Sequence, residues 1–165
     1  MRAYLGALGA LVAAVVGTIV LGRAWPGAAR GADFFLLVVV YYAISRGRVR
    51  GIWIGALGGL VQDVLGSHYL GFYAFVKTAV AYLVGGLGSK FILQQPFPQV
   101  LALFLATVLD AMLAMLLSTM VGLSPPFSAG RLVQRAVLNS VLGLIVFRLA
   151  GRRSRAAAVA RDHVR

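Results

Sequence analysis

Asp63, Lys77, Asp110 and Arg135 interrupt otherwise apolar runs, in a chain with only four acidic residues in all. An ionised group inside a membrane costs several kcal/mol, so such residues face the bundle interior and pair. Their depths suggest which pairs form. At about 1.5 Å per residue, Asp63 and Arg135 both lie about 6 Å below one face of a helical bundle, whereas Lys77 and Asp110 lie about 12 and 15 Å below it. The spacing therefore predicts Asp63 with Arg135 and Asp110 with Lys77, the swapped pairing being second. Matched pairs of this kind hold helices together. Proton coupling would require a carboxylate with a raised pKa and a water route to it, and no feature of the sequence indicates such a route.

The chemistry of other classes is missing. There are no paired carboxylates at hydrolase spacing, no serine beside a histidine and no HExxH zinc helix. Cysteine is absent, which excludes a thiol nucleophile, a thiolate metal site and a disulfide framework. His68 stands alone and reads as a turn residue. Gly85, Gly86 and Gly88 lack the strand and lysine-serine context of a phosphate loop. No catalytic, cofactor-binding or metal-binding residue is assigned, and the protein is expected not to be an enzyme.

The second motif is a stripe. Gly51, Gly55, Gly59 and Asp63 recur at every fourth residue and line one narrow face of a helix. Glycine at this spacing lets a second helix backbone approach closely in lipid. With Gly66 and Gly71 they form a candidate helix-packing or partner interface. A comparable stripe, Ala102, Ala106, Asp110, Ala114 and Ser118, is expected on a later helix, and Arg131, Arg135, Asn139 and Gly143 on the last.

The elements that must position these residues follow from composition. Of 165 residues, 61% are hydrophobic and 12% charged, with mean hydropathy +0.90. That is too little polar surface to coat a water-soluble globule. The apolar runs lack the alternating polarity of barrel strands. The expectation is an all-α integral membrane protein, a compact bundle of six transmembrane helices at about 3–22, 32–45, 51–67, 69–88, 100–120 and 131–150, followed by a basic tail over 151–165. The first run is too long for the apolar core of a signal peptide and reads as a retained helix. The second is short, and Asp33 reads as its N-terminal cap or as part of a longer span. Ser67 and His68 make a turn, Lys90 closes the fourth helix, residues 91–99 form an interfacial connector, and Gly122 to Gly130 is a loop.

The net charge of +12 does not point to nucleic acid, because the arginines sit at the ends of apolar runs and on the tail. With six crossings, one side receives Arg2, Arg46, Arg48, Arg50, Lys90, Arg148 and the tail arginines. The other receives Arg23, Arg30, Arg131 and Arg135. The positive-inside rule then places both termini in the cytoplasm.

The stretch GALGGLVQDVLGSHYLGFYAF, with Gly55, Gly59, Leu60, Asp63, Leu65, Gly66, Leu70 and Gly71 in pattern, resembles the rod shape-determining protein MreD family. The run AVLNSVLGLIVFRLAGR, with Asn139, resembles the family's last helix. The resemblance spans about residues 30–150. It implies a non-enzymatic, multi-pass subunit of the bacterial inner membrane that takes part in cell elongation and supports peptidoglycan synthesis. Its implied partners are a MreC-like membrane protein and, indirectly, the MreB filament, RodA and a penicillin-binding protein; no cofactor is implied. Such proteins are similar in architecture to the S components of energy-coupling-factor transporters, which makes a vitamin-binding S component the alternative. Ala3, Ala7, Ala10, Ala14 and Gly17 would supply the small-residue flank such a component needs. The short outer loops, poor in hydrogen-bonding groups, argue against a dedicated polar-ligand pocket.

Overall fold

The computed structural model describes residues 2–29, 31–66, 69–88, 96–123 and 128–162. The expected Ser67–His68 turn, Lys90, most of the 91–99 connector and Pro125, Pro126 and Phe127 of the last loop lie outside the described residues. Those residues form seven helices and no strand: α1 (Arg2–Ala24), α2 (Pro26–Ala29), α3 (Phe34–Arg46), α4 (Arg48–Gly66), α5 (Phe72–Gly88), α6 (Pro96–Met120) and α7 (Ala129–Asp162). The short α2 follows α1 after a single residue, and α7 runs on without a break past residue 150.

The shortness of α3 has a positional explanation. Its 13 residues reach only about 20 Å, less than the roughly 30 Å of a bilayer core. Yet α3 packs against α1, α4, α5, α6 and α7, and Phe35, Leu36, Leu37, Val39, Val40, Ala43 and Ile44 are all buried. It is the central post of the bundle, covered by protein around most of its circumference. Its buried side chains feed two adjoining cores. Leu36, Leu37, Val40 and Ile44 pack with Val76, Val80, Leu103 and Phe147, while Phe35, Val39 and Ala43 pack with Leu11, Ala14, Ile54 and Ala81.

The outer helices are long. Gly6–Ala24, Phe97–Met120 and Ala129–Leu149 have the length and apolarity to cross a membrane, and Phe34–Arg46 and Phe72–Gly86 are apolar but shorter. On α7, Val133, Val137, Val141, Ile145 and Leu149 are all exposed. A face of branched aliphatic side chains at i, i+4 spacing is unfavourable against water and favourable against acyl chains. These features define a helical membrane protein.

The tightest pair is α4 with α5, and its glycines explain why. A Cβ at Gly55 would lie 2.8 Å from the carbonyl oxygen of Lys77, and one at Gly59 would fall on the backbone of Tyr73 and Ala74. Gly51 meets α3 instead, where its Cβ would come 2.6 Å from that of Ala43. The face that carries Asp63 is therefore in backbone contact with its neighbours. Gly66 is exposed, and Gly71 adopts φ +95° with nothing near its Cβ position, so these two form the helix end and turn rather than the packed face.

Candidate functional site

Four elements meet at the charged cluster: the start of α3, the early turns of α5 and α7, and the middle of α6. Each of these elements delivers one charged side chain to a common point. Lys77 Nζ lies 2.7 Å from Asp33 Oδ2 and 2.8 Å from Asp110 Oδ1, and Arg135 Nη2 lies 3.0 Å from Asp33 Oδ2 and 3.0 Å from Asp110 Oδ2. Both carboxylates thus bridge both cations in an alternating ring with no net charge. Lys77 and Asp110 have no exposed surface, and the Arg135 side chain is 25% exposed.

Polar neighbours complete the ring. The Asp33 backbone N–H donates to Asn139 Oδ1 at 2.9 Å, and Asp33 Oδ1 accepts from the Leu36 N–H at 2.9 Å. Asp33 is therefore the N-terminal cap of α3 and an ion-pair partner at once. Its two oxygens divide the work, Oδ1 satisfying the helix end and Oδ2 meeting both cations. Asn139 Nδ2 also donates to Thr107 Oγ1 at 3.4 Å, and that hydroxyl donates to the Leu103 carbonyl at 2.8 Å. The Tyr73 ring centre is 5.4 Å from Lys77 Nζ, within the range of a cation–π contact.

Asp63 is elsewhere. Its Oδ2 accepts from the Gly71 N–H at 2.9 Å and the Ala74 N–H at 3.4 Å, and its Oδ1 from the Tyr73 N–H at 2.8 Å. The first N–H groups of a helix have no partner within it and carry the positive end of its dipole. Asp63 supplies that partner to α5 from α4, across a connection of a few residues. The other end of the same pair is also matched. Arg48, at the start of α4, lies against Gly85 and Gly86 near the end of α5, with its guanidinium 4.5 Å from the Tyr82 ring centre. α4 thus presents an anion to the start of α5 and a cation to its last turns, as the dipole favours.

The expected Asp63–Arg135 pair is accordingly not formed. Depth along the long helices compares only the acids those helices carry, whereas Asp33 stands at a helix boundary as a cap. Asp63 is held by backbone groups eight to eleven residues further along the chain, and Arg135 turns to Asp33 and Asp110. Lys77, Asp110 and Arg135 are brought together, with Asp110 meeting both cations. Asp33 is the member that sequence reasoning missed. The available signal was the polar content of the last helix: Arg135 and Asn139 stand one turn apart on one stripe, a hydrogen-bonding demand greater than Asp63 alone could meet.

Cap and ring are mechanically linked. Tyr73 gives its N–H to Asp63, and Lys77 stands one helical turn later. Fixing the first turn of α5 sets the rotation that delivers Lys77 to the two carboxylates. Beside the ring is a cavity of about 460 Å³ bounded by α2, α6 and α7, with Tyr73, Met115, Ser118, Arg131 and Arg135 in its wall. Among the described residues, no group of three or more histidines, cysteines or carboxylates is arranged to hold a metal ion.

Fold and site together describe an all-helical membrane protein whose polar interior is an ion network joining four elements. The family model for rod shape-determining protein MreD matches residues 7–152, nearly the whole chain, and the chain belongs to that family of rod-shape membrane proteins. No curated protein and no solved structure matches it.

Proposed function

We propose that this chain is a non-enzymatic subunit of the bacterial cell-elongation machinery. In this reading it crosses the inner membrane six times with both termini in the cytoplasm, binds a MreC-like protein, and through it supports peptidoglycan synthesis by a RodA-type polymerase and its penicillin-binding partner under the MreB filament. The observation that carries the reading is the family match over residues 7–152. The site is consistent with it. Asp33, Asp63 and Asp110, the three acids within the bundle, are each engaged in ion pairs or with helix N–H groups, an arrangement suited to holding a shape rather than to turning over a substrate. The exposed flank of α1, which packs on α2 and α3 and touches α4 through Leu11, offers a partner helix an apolar surface with small residues. No finding favours the S-component alternative.

The test is purification in mild detergent followed by mass spectrometry of what remains bound, with depletion in cells alongside. A co-purifying MreC-like protein, and rounding of rod-shaped cells on depletion, are the expected results. Retention of an ATPase module with a vitamin, and normal shape on depletion, would refute the assignment.

A further inference from the structure

The cavity beside the ion ring has a composition that selects its occupant. Its wall contains two guanidinium groups, Arg131 and Arg135, and no carboxylate. The ring is neutral by itself, and Arg131 adds a second guanidinium to the wall beside it. Arg135 meets the carboxylates through Nη2 alone, which leaves Nη1 and Nε for an occupant. Ser128 and Gln134 add polar groups to the same wall, while Met112, Met115, Leu132 and Leu138 make the remainder apolar. A volume of about 460 Å³ is in the range of small-molecule sites. The cavity opens beside α6 and α7, the helices with the exposed aliphatic faces, so an acyl chain leaving it would continue along an apolar surface.

We propose that this cavity binds the phosphate of an anionic membrane lipid, with the guanidinium groups of Arg131 and Arg135 on the phosphate oxygens and the methionine and leucine side chains against the first carbons of the chains. Guanidinium is suited to the task because its planar fork donates in parallel to two oxygens of one anion. The proposal is independent of the cell-elongation reading, since it concerns this chain and a lipid alone.

Native mass spectrometry of the full chain, stripped of lipid in detergent and titrated with phosphatidylglycerol or phosphatidylcholine, tests it. Phosphatidylglycerol should be retained about tenfold more tightly, roughly the worth of one charge-assisted hydrogen bond. Arg131→Gln, outside the ion ring, should remove most of that preference. Ala111→Phe, which fills the cavity without touching a charge, should lower retention of phosphatidylglycerol as well. Thermal unfolding of both variants without lipid should match the parent chain, and lipid retention is compared in whichever variant keeps the parent stability. Equal retention of the two lipids, or retention of phosphatidylglycerol unchanged in the folded variants, would overturn the proposal. Displacement by inorganic phosphate at concentrations similar to those of the lipid would also overturn it, showing a site for a soluble anion.

Discussion

Lys77 carries the highest energetic stakes of any single residue. An ammonium with no exposed surface and two carboxylates within 2.8 Å is stable there only while both remain charged and in place. Removing one partner of a buried ion pair costs about 3–5 kcal/mol because it strands the other. Asp33→Asn and Asp110→Asn should each lower unfolding stability in detergent by about that amount. Adding Lys77→Met to Asp33→Asn leaves a balanced Asp110–Arg135 pair, and the double variant should recover much of the loss. A double variant no more stable than Asp33→Asn alone would show that the ring is not an electrostatic unit. Asp63→Asn belongs to a different interaction, since its amide oxygen can still accept one helix N–H. Its cost should be about 1–2 kcal/mol, and its coupling to Arg135→Gln, carried only through the first turn of α5, should stay below about 1 kcal/mol. A coupling above about 1 kcal/mol in that cycle would restore a direct link between the two residues.

At the scale of elements, α4 and α5 act as one unit, and their glycines are not equivalent. Gly59→Ala places a methyl group on the backbone of Tyr73 and Ala74, where nothing can rotate away. It should cost about 1–3 kcal/mol as overpacking, and more if the displaced turn of α5 releases Asp63 or shifts Lys77. Gly58→Ala comes within 3.2 Å of a Leu11 methyl and makes ordinary contacts with Phe35 and Val39 at 3.7 and 4.0 Å, so a small movement of the Leu11 side chain relieves it. Gly9→Ala on α1 meets nothing within 4 Å and should stabilise that helix by up to about 1 kcal/mol. Thermal unfolding in one detergent ranks the three. A Gly59 variant as stable as the Gly9 variant would remove the close-approach account of this helix pair.

At the scale of the whole molecule, the bundle is polarised. The ion ring, the Asp63 cap and the cavity gather at one end, and Arg46, Arg48 and Arg50 are exposed at the other. If that arginine end is cytoplasmic, as the proposed topology has it, a cysteine at Arg46 is shielded from an impermeant thiol reagent in intact cells and one at Gly130 is labelled. The chain has no cysteine of its own, so each single substitution reports cleanly. Labelling of position 46 with protection of position 130 would invert the topology. Under that topology the ring lies in the outer half of the bundle.

The sequence by itself determined the membrane class, the long apolar helices, and the glycine face with its acid, because these depend on composition and on the 3.6-residue period, both local properties. The family resemblance was legible for the same reason, resting on one contiguous motif. Tertiary structure alone decided how the charges combine. Asp33 looked like a helix cap because its neighbours in the chain say so. Its second oxygen, however, meets Lys77 and Arg135, 44 and 102 residues away, and no local pattern encodes that encounter. Asp63 looked like an ion-pair partner because its depth matched that of Arg135. The nearer claim on it came from the unpaired N–H groups at the start of α5, which exist as a binding site only once α4 and α5 lie side by side. Local rules fix which groups need partners, and only the packing of helices fixes which partners come within hydrogen-bonding reach.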